Sequence, residues 1–275
     1  KAIDFTYIPG LFIQDEFALS DKWKFLSGFR WDRHQDHGNI FAPRLNLKWT
    51  PNANTSFRWN TGTGFRVVNI FTEDHAALTG ARDIVITNEL QPEESININI
   101  NLHHWFQRKD HHTSIDLDLF YTHFSNKIVP NYNTDPTKII YDNLEGYSIS
   151  KGASFQINQS FSIPLNISLG GTYLDVYTIN EGEKNIELFT PSFSGVFSIG
   201  YEWPLNKIKL DYTGRIMGPM QLPTYEEEFA RDETSPWYTF QHLKVEKRFT
   251  NKISAYLGVR NLFNFTQESP LVDPG

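Results

Sequence analysis

Apolar and polar residues alternate along most of the chain with a period of two. The stretch 95–105, SINININLHHW, shows this most regularly, because Ile96, Ile98 and Ile100 share one face and the intervening asparagines share the other. A β-strand places successive side chains on opposite faces, so the pattern predicts strands with one apolar and one polar face. We count about twelve such segments of about ten residues, beginning at 3–5, and helical spacing is nearly absent.

Short and long connections alternate between these segments. Short turns are predicted at 20–22, 51–55, 107–113, 162–166, 204–206 and 250–252. Longer links are predicted at 32–42, 66–94, 125–146, 178–190 and 217–237. Tight turns on one side and long loops on the other are typical of a transmembrane barrel, whose tilted strands of about 9–11 residues span the bilayer. The apolar face would then contact lipid, and the polar face would line a wet interior.

A soluble β-sandwich, propeller or β-helix also alternates, and this alternative stays open on pattern alone. A sandwich usually has shorter strands and turns of similar length, and no blade-sized repeat is evident here. Aromatic residues also gather near segment ends, where an interfacial girdle would place them. These residues are Trp23, Trp31, Trp49, Trp59, Trp105, Tyr201 and Trp203. We therefore favour the barrel.

Composition and charge narrow the possible functions. The 22 Phe, 12 Tyr and 7 Trp residues make up 15% of the chain, and the absence of cysteine excludes disulfides, thiolate metal sites and a cysteine nucleophile. The net charge of −7, with no long basic run, argues against nucleic-acid binding. No run of about 18 apolar residues is present, so a transmembrane helix is not expected.

Two sequence motifs lie far apart in the chain. The first is the run GTGFR before a long loop and LQPEES after it, which contains Gly62, Gly64, Phe65, Arg66, Leu90, Pro92, Glu93 and Ser95. The second is YLGVRNLFNF at 256–265. Together they resemble motifs of TonB-dependent outer-membrane receptors, especially the form common in Bacteroidetes, in which the second motif belongs to the penultimate strand. The motifs occur in the family's order, and the intervening hairpins fit, so the resemblance covers essentially the whole chain.

This resemblance implies an all-β, antiparallel transmembrane β-barrel, of which 1–275 supplies about twelve of about 22 strands. We expect a single C-terminal barrel portion without a second domain and without the plug domain, located in the bacterial outer membrane. The implied partners are the plug domain and remaining barrel strands of the same receptor, the TonB complex of the inner membrane, a small nutrient ligand, and lipid or lipopolysaccharide. No cofactor and no nucleic acid is implied.

The implied function is active uptake of a scarce nutrient, and a ferric siderophore is the first expectation for the ligand. Cobalamin, haem or an oligosaccharide are the alternatives within the family. A passive porin-like channel is the alternative from another class, and a soluble all-β adhesion or binding domain is the third. No catalytic motif is present, so the chain is not expected to be an enzyme.

Candidate ligand contacts lie in two of the long loops. Long loops are often functional, and Arg side chains suit anionic oxygens. From 66–94 and 217–238 we select Arg66, Glu73, Asp74, His75, Arg82, Tyr225 and Trp237. Packing of the first loop on the plug or on neighbouring loops explains its residues equally well. On the polar strand face, we predict that Arg58, Asn97, Asn99 and Asn101 face the plug, although a water-filled pore would also tolerate them.

The histidines do not predict a metal site. His103 and His104, like His111 and His112, are neighbours on a strand and point to opposite faces, so they cannot all share one ion. His34 and His37 lie in the predicted link 32–42, where solvated loop residues are the favoured interpretation. Contact with a ligand, or with a divalent ion bound to lipopolysaccharide, is the alternative for that link.

Overall fold

The computed structural model describes residues 7–67, 83–131, 135, 137–222 and 232–266. Within these residues the protein is all-β. The strands are β1 (Gly10–Ser20), β2 (Trp23–His34), β3 (Gly38–Asn52), β4 (Thr55–Arg66), β5 (Asp83–Ile86), β6 (Glu93–Arg108), β7 (His111–Asn126), β8 (Ile128–Asn131), β9 (Lys138–Asn143), β10 (Gly146–Phe161), β11 (Leu165–Asn180), β12 (Glu183–Ile186), β13 (Phe193–Trp203), β14 (Ile208–Met217), β15 (Tyr238–Arg248) and β16 (Ser254–Val259). Among the described residues we find no helix with the length and hydrophobicity that a membrane-spanning helix needs.

Twelve strands form one path in chain order, β1-β2-β3-β4-β6-β7-β10-β11-β13-β14-β15-β16. The strand β12 pairs with the last four residues of β11, and a separate three-stranded sheet has the order β5-β9-β8. The predicted all-β fold with an antiparallel main sheet is confirmed for the described residues, in which twelve strands follow the main path and four more lie outside it. The predicted first segment, 3–5, lies outside them.

The predicted short turns are confirmed, but two predicted long links are wrong. The strand β2 continues to His34 and β3 begins at Gly38, so most of 32–42 is a regular hairpin with Asp32 opposite Ile40. The link 178–190 likewise contains the hairpin of β11 and β12. Both hairpins close at a glycine with positive φ, Gly38 at 72° and Gly182 at 84°, a conformation that glycine adopts without strain.

The chain groups into two compact units, and several long strands contribute to both. Unit 1 comprises Lys1–Asn101, Leu119–Gly152 and Asp175–Glu187, and unit 2 comprises Leu102–Asp118, Ala153–Leu174 and Leu188–Gly275. The expectation of a single domain stays a prediction.

The apolar core of unit 1 lies in the three-stranded sheet. Ile139 and Tyr141 of β9 pack with Ile128 of β8, and Ile84 and Leu90 cover them. The main sheet behaves differently, because its apolar face keeps large side chains such as Ile96 and Leu119 more than half exposed. An extended exposed apolar face of this kind indicates a surface that another apolar phase covers.

On the polar face of the main sheet, a long side chain lies over a glycine. Gly28 of β2 stands between Gln14 of β1 and Arg44 of β3 in the strand register. Arg44 extends across Gly28, and its Nη2 donates a hydrogen bond to Oε1 of Gln14. A Cβ atom at Gly28 would lie 2.7 Å from Nε and 2.9 Å from Cγ of Arg44. The glycine therefore makes room for the arginine that connects three strands.

We predict that Gly28→Ala destabilises the protein, because the new methyl group displaces Arg44 from Gln14. Losing this charged hydrogen bond should cost about 1–2 kcal/mol. The measurement is the free energy of unfolding in denaturant, with the protein in detergent micelles. Gly258→Ala is the matched control, because a Cβ atom there would meet nothing closer than 3.5 Å. Equal stability of the two variants would show that the space above Gly28 is not required.

Candidate functional site

A row of polar side chains connects β4 and β6. Nη1 of Arg58 donates to Oδ1 of Asn101 at 3.1 Å, and Nδ2 of Asn60 donates to Oδ1 of Asn99 at 3.1 Å. Each step of two residues along β4 is matched by a step of two along β6, so these bonds share one register. Asn99 also donates to the carbonyl of Leu119 at 3.4 Å. The structure thus brings Arg58, Asn99 and Asn101 together on the polar face, as the alternation predicts.

Asn97 is placed differently within the same row. Its backbone carbonyl accepts a hydrogen bond from Oγ1 of Thr61 at 2.9 Å, and its side chain is exposed. On the opposite face of β6, Ile96, Ile98 and Ile100 are exposed. The division of β6 into an apolar and a polar face is therefore confirmed, while the identity of what covers each face stays a prediction.

An ion pair closes the base of the longest loop. Nε and Nη2 of Arg66, the last residue of β4, each lie 2.8 Å from Oε2 of Glu93, the first residue of β6. The other carboxylate oxygen, Oε1, accepts the backbone N–H of Ile128 at 3.1 Å. Glu93 is only 7% exposed, whereas the Arg66 side chain is 59% exposed. Burial of the carboxylate in a hydrogen-bonded site strengthens such a pair.

This pair joins the two halves of the first sequence motif. Arg66 ends the GTGFR run and Glu93 lies in LQPEES, so these motif residues fasten a loop where it leaves and re-enters the sheet. Sequence reasoning selected Arg66 as a ligand contact but did not assign a role to Glu93. The signal was present, because an acidic residue and a basic residue stood at matching positions of two paired strands.

The described part of this loop is also fastened to the loop that follows β7. Strand β5 pairs in parallel with β9 over Asp83–Ile86 and Lys138–Tyr141. The side-chain amide of Asn143 accepts the N–H of Gln91 at 2.8 Å and donates to its carbonyl at 3.0 Å. Asn126 donates to the carbonyl of Pro92 at 2.8 Å. For the described part of the loop, 83–94, packing on a neighbouring loop is therefore what the structure shows.

The structure describes one of the six remaining loop candidates, Trp237. Glu73, Asp74, His75, Arg82 and Tyr225 lie outside the described residues. Trp237 is described, with 58% of its surface exposed and its ring centroid 5.7 Å from that of Phe193. A role for any of these residues in ligand contact stays a prediction.

The second motif forms a compact turn after β16. Asn261 donates from Nδ2 to the carbonyl of Phe265 at 2.8 Å, and its Oδ1 accepts the Phe265 N–H at 2.9 Å. This turn places the Phe265 ring against Tyr238 and Phe240, with centroids 5.1 and 5.3 Å apart. Asn261 has a φ of 51°, which asparagine tolerates better than most residues. The motif therefore stabilises the end of the sheet in unit 2.

His34 and His103 both make polar contacts within the described residues. His34 is only 3% exposed, and its Nδ1 accepts the N–H groups of Asp36 at 3.2 Å and His37 at 3.3 Å. The favoured interpretation as a solvated loop residue is wrong for His34, because the residue lies in a hairpin strand. His103 instead pairs with Asp116 at 2.7 Å. In the part of the chain that the structure describes, no group of three or more potential ligands could hold a metal ion.

The carboxylate of Asp135 lies just before β9 and accepts two hydrogen bonds from Thr137. The hydroxyl of Thr137 donates to Oδ1 at 2.6 Å, and the Thr137 N–H donates to the same atom at 2.9 Å. These two bonds, followed by the contact with Lys138, lower the pKa of Asp135 to about 2. The interaction holds the turn that leads into β9.

An antiparallel sheet whose strands follow chain order, with one apolar and one polar face, is typical of the strands of an outer-membrane β-barrel. Residues 3–262 match the family described as TonB dependent receptor-like, beta-barrel. The chain belongs to this family. Membership confirms the bacterial outer membrane as its location and agrees with a receptor rather than an enzyme.

Individual relatives agree with this assignment. An iron-regulated outer membrane virulence protein of Vibrio cholerae serotype O1 is 26% identical over 92% of the chain and 40% of its own length. The siderophore receptor PirA from Acinetobacter baumannii superposes with a TM-score of 0.73, at 16% identity, over 93% of the chain and 41% of its own. The ferric enterobactin receptor PfeA in complex with BCV-L6 gives 0.70 at 16% identity, over 93% and 40%.

The structural similarities, at these identities, show the fold alone. The chain spans about 40% of the length of the curated relatives it matches. None of the relatives named above comes from Bacteroidetes, so they do not support the predicted resemblance to the Bacteroidetes form of the family.

We predict that Glu93→Gln loosens the loop base, because the variant keeps the shape but loses the charge that holds Arg66. The loss should be about 1–3 kcal/mol, as expected for a buried charged hydrogen bond. Hydrogen exchange of the Ile128 amide reports it directly. Lys138→Gln is the control: its ion pair with Asp135 is partly exposed, at 45% and 31% of the two side chains, so Ile128 exchange should change little. Unchanged exchange in Glu93→Gln would contradict the role of the carboxylate.

We predict that Thr137→Val raises the pKa of Asp135 from about 2 toward its ordinary value, because the hydroxyl donor is lost. A carboxylate whose folded pKa is lowered stabilises the fold above its unfolded pKa of about 3.9 and loses that effect as the pH falls toward the folded value. A carboxyl ¹³C chemical-shift titration of Asp135 measures the change. Thr250→Val, which alters a turn in unit 2, should leave the titration unchanged. An unchanged Asp135 titration in Thr137→Val would contradict the prediction.

Proposed function

We propose that the protein is part of a TonB-dependent receptor that binds a scarce nutrient outside the cell and transports it across the outer membrane. The observation that carries this proposal is the Arg66–Glu93 pair, which fixes the base of the longest loop at the residues of the family motif. A receptor needs long loops that keep a defined shape at the mouth of the barrel. A simple diffusion pore has no such requirement for its signature residues.

The polar row on β4 and β6 supports an interior that contacts another part of the protein. In the described residues the carboxamide of Asn97 has no hydrogen-bond partner, and the side chain is exposed. A carboxamide offers two donors and an acceptor, which suits reversible contact with a plug domain. We assign Arg58, Asn97, Asn99 and Asn101 to the surface that faces such a plug, which the TonB complex would remodel during transport.

A ferric siderophore is the ligand that we propose first. The similar protein PirA is a siderophore receptor, PfeA is a ferric enterobactin receptor, and the Vibrio relative is iron-regulated. The proposed ligand contacts are Arg66, Glu73, Asp74, His75, Arg82, Tyr225 and Trp237. Arg66 supports this role because more than half of its side chain remains exposed beside the loop. The two sequence motifs support the finer proposal that the chain is the C-terminal part of a receptor barrel of the Bacteroidetes form.

The test is uptake of ⁵⁵Fe-labelled siderophores by cells that produce the intact receptor, with and without TonB. We expect accumulation that requires TonB and stops when the proton-motive force is dissipated. Accumulation that is independent of both would favour a passive porin. Absence of uptake with every siderophore, together with TonB-dependent uptake of cobalamin, haem or an oligosaccharide, would replace the ligand and keep the transport mechanism.

Two variants separate ligand contact from loop stability in the same assay. Arg66→Gln and Glu93→Gln both break the ion pair, but only the first removes the guanidinium group. If Arg66 contacts an anionic ligand, Arg66→Gln should weaken binding by about tenfold more than Glu93→Gln, the usual effect of losing one charged hydrogen bond. Equal losses in the two variants would assign Arg66 to loop stability alone.

A further inference from the structure

A depression of about 230 Å³ lies on the polar face of unit 2, where β7, β10, β11 and β13 run side by side. We call it the Gly170 pocket, because Gly170 forms part of its floor. Its polar side chains are those of Asp118, Ser154, Gln156, Thr172 and Ser194. Sites for drug-sized ligands usually have volumes of roughly 300–1,000 Å³. The Gly170 pocket is smaller, so it has room for one small organic group.

The floor of the pocket carries a positioned hydrogen-bond acceptor. Nε2 of Gln156 donates to Oγ of Ser168 at 2.7 Å and to Oδ1 of Asn158 at 3.1 Å, and these two bonds fix the orientation of the amide. Its oxygen Oε1 lies over Gly170, where a Cβ atom would collide with it. Glycine inside a strand often marks a place that a ligand or another backbone approaches closely. Gly170 therefore leaves the space in which Oε1 of Gln156 is held.

The strands around the pocket are rich in acceptors and contain no basic side chain. The parts of β7, β10, β11 and β13 that belong to unit 2 include no lysine and no arginine. On β7 they include the carboxylates of Asp116 and Asp118, and Asp116 pairs with His103 at 2.7 Å. On the next strand, Arg215 is opposite Val196, but its guanidinium group lies over the Phe240 ring at 4.9 Å from the centroid. These strands therefore provide acceptors for a cation that they do not supply.

We propose that the Gly170 pocket binds the guanidinium group of a small organic cation. A guanidinium group is planar and has five N–H donors and no acceptor, so it matches a carboxylate, a carboxamide oxygen and hydroxyl groups around a glycine floor. Its hydrogen bonds to a carboxylate are charge-assisted and about twice as strong as neutral ones. The placement of this face in the barrel interior rests on the proposed function, whereas the chemistry of the pocket does not.

The test uses the intact receptor in detergent with the substitution Ser194→Cys, which places a thiol in the pocket of a chain that has no cysteine. The rates of modification by a cationic and an anionic methanethiosulfonate of similar size are measured, with methylguanidinium as the probe ligand. We expect the cationic reagent to react about tenfold faster, the usual effect of one charged hydrogen bond. Methylguanidinium should protect the thiol, whereas N-methylurea, which has a similar shape and no charge, should not.

Two further substitutions in the Ser194→Cys background test the named groups. Asp118→Asn keeps the shape and removes the charge, so it should abolish both the rate difference and the protection. Gly170→Ala should abolish the protection, because the new methyl group displaces the Gln156 amide. Ser198→Cys is the matched control, since Ser198 lies on the same face of β13 but outside the pocket. Methylguanidinium should not protect its thiol.

Three results would overturn the proposal. Equal protection by N-methylurea would show that the charge is not recognised, and unchanged protection in Asp118→Asn would show that the carboxylate is not used. A thiol in Ser194→Cys that neither reagent modifies would show that another part of the receptor already fills the pocket. The assay contains no siderophore and no TonB, so its outcome is separate from the test of transport.

Discussion

The pairing of each strand of the main sheet with the next main-sheet strand along the chain is the constraint on which the structure depends. A hydrocarbon environment provides no water for backbone N–H and C=O groups, so strands that cross it must satisfy these groups by pairing. The unbroken path from β1 to β16 meets this requirement for its inner strands. When the backbone groups are hydrogen-bonded in this way, the side chains of each strand can be apolar, such as Ile or Leu, on one face and polar, such as Asn, Ser or Arg, on the other. The regular alternation at 95–105 is the consequence in the sequence.

The parts of the fold that depend on local sequence could be predicted, and those that depend on distant contacts could not. Period two and turn-forming residues located the main strands and the short turns. The link 32–42 was misjudged because polar residues such as Asp32 and His34 resemble a loop, although they continue the strand to Gly38. The parallel pairing of β5 with β9 joins segments more than fifty residues apart. No periodic pattern in the sequence of either segment indicates that these two strands will pair.

The candidate site shows the same division at the level of single residues. The placement of Asn99, Asn101 and Arg58 on one face follows from parity along the strand, and the structure confirms it. The role of Glu93 follows from its two partners, Arg66 and the Ile128 N–H, and from its burial by the surrounding protein. Only the folded chain brings these together. Resemblance to a family located the motif, but the geometry explains why both of its halves are needed.

Two different physical regimes stabilise this one chain. The sheet formed by β5, β8 and β9 has a core like that of a soluble protein, where Ile139 and Tyr141 are 2% and 3% exposed, and water drives its burial. The main sheet exposes residues of the same kind, such as Ile96, and relies on the surrounding phase to cover them. The change from one regime to the other occurs within single strands, since β10 contains the buried Ile149 and, six residues later on the same face, the exposed Phe155.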